Sequence, residues 1–295
     1  MSMTKVTLFE VGPRDGLQNE AHPLGPDDRV SLIKRLAHAG MPYVEAGSFV
    51  SPKWVPQMAD TDKVLAQLDA EAYRYPVLTP NMKGFEAARA AGADHVAVFG
   101  AASETFSQKN INCNITESLR RFAPVMEEAR KHNIRIRGYV SCVLGCPYEG
   151  DVAVATVVEV AEWLLEHGAH EISLGDTIGV GTPACARAMV KQVAQSVPRD
   201  RLALHFHDTY GQALANILAC LEEDIRIIDV AVAGLGGCPY AAGASGNVAS
   251  EDVLYMLEGM GFETGIDLDQ IVATGNWVSH LLNRQNNSKV GRARS

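Results

Sequence analysis

The sequence predicts an α/β protein built as a (β/α)8 TIM barrel with a C-terminal helical extension. Three observations predict it. Eight short, β-branched runs recur along the chain with longer amphipathic stretches between them. Such β-then-α alternation argues for a parallel sheet with helical crossovers. The 295 residues accommodate the roughly 250 usual for such a barrel, with one more helix to spare. Charged or metal-binding side chains also fall at the ends of most runs, where these barrels build their sites. An open doubly wound sheet needs only five or six strands and leaves units unused.

The first run, Lys5–Val11, is followed by Arg14-Asp15-Gly16 and then the helical stretch Asp28–Ala39, stopped at Gly40. The second, Tyr43–Ala46, carries Glu45 at its end, and the third and fourth are Arg74–Leu78 and His95–Phe99. The helical stretch Ile115–His132 leads to the fifth run, Arg135–Val140, with Cys142 and Cys146 beyond it. Val154–His167, stopped at Gly168, precedes the sixth run, Glu171–Leu174, which Asp176 follows. Pro183–Ser196 leads to the seventh, Leu202–Phe206, which ends in His205-Phe206-His207. The eighth, Ile227–Val232, opens into a glycine-rich stretch from Gly234 to Asn247. After about Gly265 the pattern is one more helix and then a polar tail, Asn283–Ser295, expected to fray. No linker or composition break divides the chain. Residues 1–295 therefore read as one catalytic domain, with the barrel over about 4–265 and the extension over 266–295.

Composition narrows the function. At 47% hydrophobic residues the chain can bury a core without disulfides or a structural metal. A net charge of −9 argues against a nucleic-acid partner, which requires a basic stripe. Six cysteines without CxxC spacing read as thiols in a reducing compartment. No apolar run approaches the roughly 20 residues that cross a bilayer, so no membrane partner is expected. The opening Met-Ser-Met-Thr-Lys runs directly into a strand, leaving no room for a targeting peptide; a cytoplasmic protein is expected.

His205 and His207 are the strongest single signal. Residues two apart on a strand share a face, so two imidazoles at a barrel mouth can hold a divalent metal. Asp15, directly after the first strand, completes a mixed nitrogen–oxygen site, and Arg14 beside it supplies fixed positive charge for a developing oxyanion. Glu45 and Asp176 stand at strand ends, where hydrogen bonds to loops are the competing role. The glycine-rich stretch is neither GxGxxG, since Pro239 interrupts it, nor a nucleophile elbow, and the chain has no P-loop. It carries one thiol, Cys238, and ends in an amide, Asn247, as a loop able to close over substrate.

The segments VGPRDGLQNE, VEAGSFVSPKWVPQMAD, GYVSCVLGCPYEG, LGDTIGVGTP, HFHDTYGQALAN and GLGGCPYAAGASGN together resemble the hydroxymethylglutaryl-CoA lyase family. The likeness runs from Val6 to about Arg284. It implies cleavage of 3-hydroxy-3-methylglutaryl-CoA, a small-molecule acyl-CoA substrate, to acetyl-CoA and acetoacetate, as in leucine breakdown and ketone-body formation. The resemblance further implies a divalent metal, Mg2+ or Mn2+, held by Asp15, His205, His207 and Asn247. It makes Arg14, Glu45, Asp176 and Cys238 catalytic, and Arg14, Gln18 and Asn110 substrate contacts. Asp176 and a metal-bound histidine stand as alternatives for the base. A homodimer is among the assemblies open to the chain. Ala21 replaces a basic residue of several relatives, and the tail lacks the cysteine of animal members. The alternative within the wider barrel group is a synthase or aldolase, the synthase condensing an acyl-CoA with a 2-oxo acid.

Overall fold

The computed structural model describes residues 4–237 and 246–294. From the N-terminus, β1 (Thr7–Glu10) passes through a π-helical turn at Gly12–Gly16 to α1 (Pro26–His38), β2 (Tyr43–Val44) and β3 (Gly47–Ser48). Next come α2 (Thr61–Leu65), β4 (Val77–Leu78), α3 (Met82–Ala90), β5 (His95–Ala101), α4 (Glu104–Ile111) and α5 (Ile115–Lys131). They lead to β6 (Arg135–Ser141), α6 (Val154–Glu166), β7 (Glu171–Asp176), α7 (Pro183–Val193), β8 (Leu202–Phe206), α8 (Ala213–Leu221) and β9 (Ile227–Val230). Three helices finish the chain: α9 (Ser250–Gly259), α10 (Leu268–Leu281) and α11 (Lys289–Ala293).

All the strand pairings are parallel, in the order β2-β1-β9-β8-β7-β6-β5-β4-β3. The two ends of that order, β2 and β3, are halves of one stave. Between them Glu45 N–H donates to Glu10 O at 2.8 Å on one side, and Ala46 N–H to Pro76 O at 2.9 Å on the other. The ring is therefore closed, with eight staves as the sequence predicts. The break in the second stave is braced from α1. Arg29, almost fully buried, donates to Ala46 O at 3.3 Å, Ala59 O at 2.7 Å and Thr61 Oγ1 at 3.1 Å.

Because parallel strands in such a barrel are covered on both faces, they read as near-continuous apolar runs. The largest cluster of buried side chains accordingly extends from Val6 to Leu282. Helix α5 shows how the outer layer docks. Ile115, Leu119, Phe122, Met126 and Ala129 recur at helical spacing and are buried, and Asn114 caps the first turn by accepting from Glu117 N–H at 2.7 Å. Inside the ring a charged layer lies below the mouth. Arg137 is buried, paired with Asp229 and Glu171 at 2.6 Å each, and lies 3.7 Å over the Phe9 ring.

The expectation that the tail frays does not hold over the described residues. Asn286 and Ser288 are buried. Ser288 Oγ donates to Asp252 Oδ1 at 2.7 Å, and the backbone N–H groups of Lys289 and Val290 donate to the same carboxylate. A polar segment docks here because α9 offers a buried carboxylate to its donors. Among the described residues no helix is long and apolar enough to cross a membrane.

Candidate metal and active site

The turn after β1 is wider than an α-turn: Asp15 and Gly16 both donate their N–H to Val11 O, at 2.8 and 3.2 Å. Such π-type turns recur at functional sites, and this one carries Arg14 and Asp15 at the C-terminal mouth. From the other side β8 brings His205, with His207 just past its end. One ligand atom each of Asp15, His205 and His207 lie within 4.8 Å of one another. His205 Nε2 is 3.9 Å from Asp15 Oδ2, and the two imidazole centroids are 5.4 Å apart. His207 pairs through its backbone with Asn247, whose Nδ2 donates to Asp15 Oδ2 at 2.8 Å and to Leu235 O at 3.2 Å. Four residues predicted from sequence thus converge.

The donor set fits a divalent cation. His207 Nδ1 is buried with no hydrogen-bond partner among the described residues. Burial, reinforced by the neighbouring His205, lowers the His207 pKa to about 4, so the ring is neutral at pH 7, as a metal ligand must be. Burial opposes ionisation of Asp15, but Arg14, His205, His207 and the Asn247 amide outweigh it and hold its carboxyl well below the usual range. One carboxylate with two imidazoles suits Mg2+, Mn2+ and related ions.

Asp229 on β9 orients the cluster, and the sequence reading missed it. Its Oδ2 lies 3.1 Å from His205 Nδ1, accepts from Ser173 Oγ at 2.9 Å, and joins Oδ1 in gripping Arg137. A carboxylate at Nδ1 holds the ring proton there and turns Nε2 toward Asp15. The available signal was a charge set among β-branched neighbours within a strand, at Asp229 and at Arg137.

Arg14 is buried beside this cluster. Its Nε donates to Glu45 Oε2 and its Nη1 to Asp15 Oδ1, both at 2.7 Å, and its guanidinium lies 5.4 Å from the Tyr139 ring. Burial raises the Glu45 pKa, with Arg14 pulling the other way. Asp176 ends β7, and its Oδ2 accepts from Gly181 N–H at 2.9 Å, fastening the turn into α7. Its Oδ1 is buried without a partner among the described residues. Gln18 is half-buried past the Asp15 turn and Asn110 is exposed in the last turn of α4. Among the described residues no side-chain hydrogen bond joins either one to the cluster. Cys238 lies outside the described residues. Cys142 and Cys146 are buried with Ala101 and Phe106, and burial pushes the Cys142 thiol up to about 12.

Fold and site define a (β/α)8-barrel enzyme with a candidate metal centre at its C-terminal mouth. The chain belongs to the HMGL-like family, whose model matches residues 5–278. It is 57% identical, over 98% of its length and 97% of the relative's, to a 3-hydroxy-3-isohexenylglutaryl-CoA/hydroxy-methylglutaryl-CoA lyase of Pseudomonas aeruginosa. It is 56% identical, over 98% of its length and 97% of the relative's, to a mitochondrial hydroxymethylglutaryl-CoA lyase of Gallus gallus. A crystal structure of hydroxymethylglutaryl-CoA lyase from Pseudomonas aeruginosa superposes with a TM-score of 0.97 at 56% identity, covering 99% of this chain and 98% of the other.

Proposed function

We propose that the protein is a metal-dependent carbon–carbon lyase cleaving 3-hydroxy-3-methylglutaryl-CoA to acetyl-CoA and acetoacetate, with residues 1–295 acting as one catalytic domain. The observation that carries this reading is the Asp15–His205–His207 convergence with Arg14 hydrogen-bonded to Asp15. Near-full-length relatives that bear the lyase name support it over a condensing synthase.

Asp15, His205, His207 and Asn247 hold Mg2+ or Mn2+ in this reading. When bound, the ion polarises substrate oxygen and makes the tertiary hydroxyl a stronger acid. Asp176, whose Oδ1 has no hydrogen-bond partner among the described residues, takes the hydroxyl proton. The C2–C3 bond then breaks, its electron pair passing into the thioester as an enolate while C3 becomes the ketone carbon of acetoacetate. Arg14 meets the enolate charge, and Glu45 fixes the guanidinium in place. Cys238 protonates the enolate carbon and so completes acetyl-CoA. Gln18 and Asn110 serve as substrate contacts. A cytoplasmic location and a homodimer complete the proposal; the five described cysteines are free thiols, in keeping with a reducing compartment.

A coupled assay for acetoacetate, with and without chelator, tests the reaction. Metal-dependent acetoacetate release is expected. Release of free CoA from acetyl-CoA and a 2-oxo acid, without lyase turnover, overturns it in favour of a synthase. The isohexenyl thioester belongs in the same assay, given the name of the Pseudomonas relative. Alkylation mapped by mass spectrometry tests Cys238, with exposed Cys185 as the reference thiol: inactivation should track Cys238, and tracking of Cys142 or Cys146 removes it from the proposal.

A further inference from the structure

The stem of the glycine-rich stretch adopts a backbone that side chains seldom favour. Ala233 has φ +57°, Gly234 φ +57° and Gly236 φ +97°. A left-handed alanine persists only where surrounding contacts over-determine it. Across the stem Gly246 N–H donates to Gly236 O at 2.9 Å, and Leu235 O receives the Asn247 amide that also reaches Asp15. The position of this stem therefore decides whether Asn247 meets the cluster.

Two side chains from opposite ends of the chain hold the stem. Glu20, just past the Asp15 turn, accepts from Gly236 N–H at 3.2 Å through Oε1, and the same oxygen is ion-paired with Arg284 Nη1. The other arm of Arg284, Nη2, lies 3.4 Å from both Ala233 O and Gly234 O, and Asn287 N–H donates to Ala233 O at 3.1 Å. Glu20 and Arg284 are 264 positions apart and largely buried, with side chains 14% and 16% exposed. Neither is among the cluster's ligand atoms.

We propose that Glu20 and Arg284 are positioning residues: a clasp through which the C-terminal segment sets the Leu235–Gly236 stem against the Asp15 turn and so presents Asn247 to the metal. This rests on the metal reading above. The planar guanidinium suits the task, since one arm meets the carboxylate while the other meets the two carbonyls, whereas an ammonium presents its donors from a single point.

The test is Mn2+ binding to the full chain, read by the electron paramagnetic resonance signal of free Mn2+, beside thermal unfolding of each variant. Arg284→Met is expected to weaken Mn2+ about 10-fold, the low end for groups that orient ligands. Arg284→Lys should stay weak, and Glu20→Gln should weaken binding too. The double variant Glu20→Gln/Arg284→Met should be no worse than the weaker single, as partners in one unit behave. Ser288→Ala, which removes one of the three hydrogen bonds from the tail to Asp252, should lower the melting temperature and leave Mn2+ affinity within about two-fold of wild type. Folded Arg284→Lys and Glu20→Gln proteins with wild-type affinity overturn the clasp alone. So does an equal loss in Ser288→Ala, which makes the effect one of general stability. A wild-type protein that takes up no Mn2+ overturns the metal reading and the clasp with it.

Discussion

Asp229 touches no candidate ligand except His205, yet it decides which nitrogen of that ring faces Asp15. Replacing it with asparagine preserves shape but offers an N–H to Nδ1, favouring the tautomer with its proton on Nε2. Asp229→Asn is therefore expected to lower Mn2+ affinity about 10–100-fold, measured by metal titration of the purified protein; unchanged affinity means the ring is held by other contacts. In the proposed mechanism Arg14 acts differently, meeting the enolate charge rather than holding the metal. Arg14→Gln should cut kcat by about 10²–10³ with little change in KM. Steady-state kinetics decide it: a large rise in KM with kcat preserved makes Arg14 a substrate anchor.

At the scale of elements, two buried carboxyls brace the junction of β1, α9 and the turn after β9. Glu10 accepts from Gly12 N–H, Val232 N–H and Ser250 Oγ at 2.8, 2.9 and 2.6 Å, and Glu251 accepts from Ala233 N–H at 2.9 Å. Burial raises the Glu10 pKa to about 7 against the pull of these donors. It raises that of Glu251 to about 8, with the Glu10 charge adding to the effect. The folded state thus holds protons that the unfolded chain releases above the ordinary value of 4.5. The stability from each group is fully present below that value and is lost as pH rises toward 7 and 8. Relative to Glu251→Gln, the wild type should lose stability from pH 5 to 8, by at most ~1.4 kcal/mol per pH unit. Urea unfolding of both proteins across that range measures the difference, and a flat difference means Glu251 ionises normally.

For the whole molecule, the cluster joins the β1 turn, the end of β8 and the strand-like return at Asn247, three segments far apart in the chain. An ion bound there favours the folded state by mass action, about 2.7 kcal/mol at a hundred times its dissociation constant. For a barrel of 295 residues that corresponds to roughly 4 °C in Tm. Calorimetry with Mn2+ should show the rise, chelator should reverse it, and His205→Ala should abolish it. A Tm indifferent to Mn2+ in the wild type places the ion elsewhere or nowhere.

The sequence alone determined the barrel and the convergence at its mouth, because both follow from short-range geometry. Strand and helix periods are properties of the local chain, so eight alternations were readable as they stand. A two-residue period puts His205 and His207 together, and parallel closure carries Asp15 to them from the first stave. Tertiary structure alone decided the supports. Asp229 meets Arg137 across 92 positions and Glu20 meets Arg284 across 264, and no local pattern encodes such partners. The split second stave and the docked tail belong with them. Each depends on which polar groups are left buried and unpaired once the ring has closed, and buried polar groups must find partners wherever the fold has placed them.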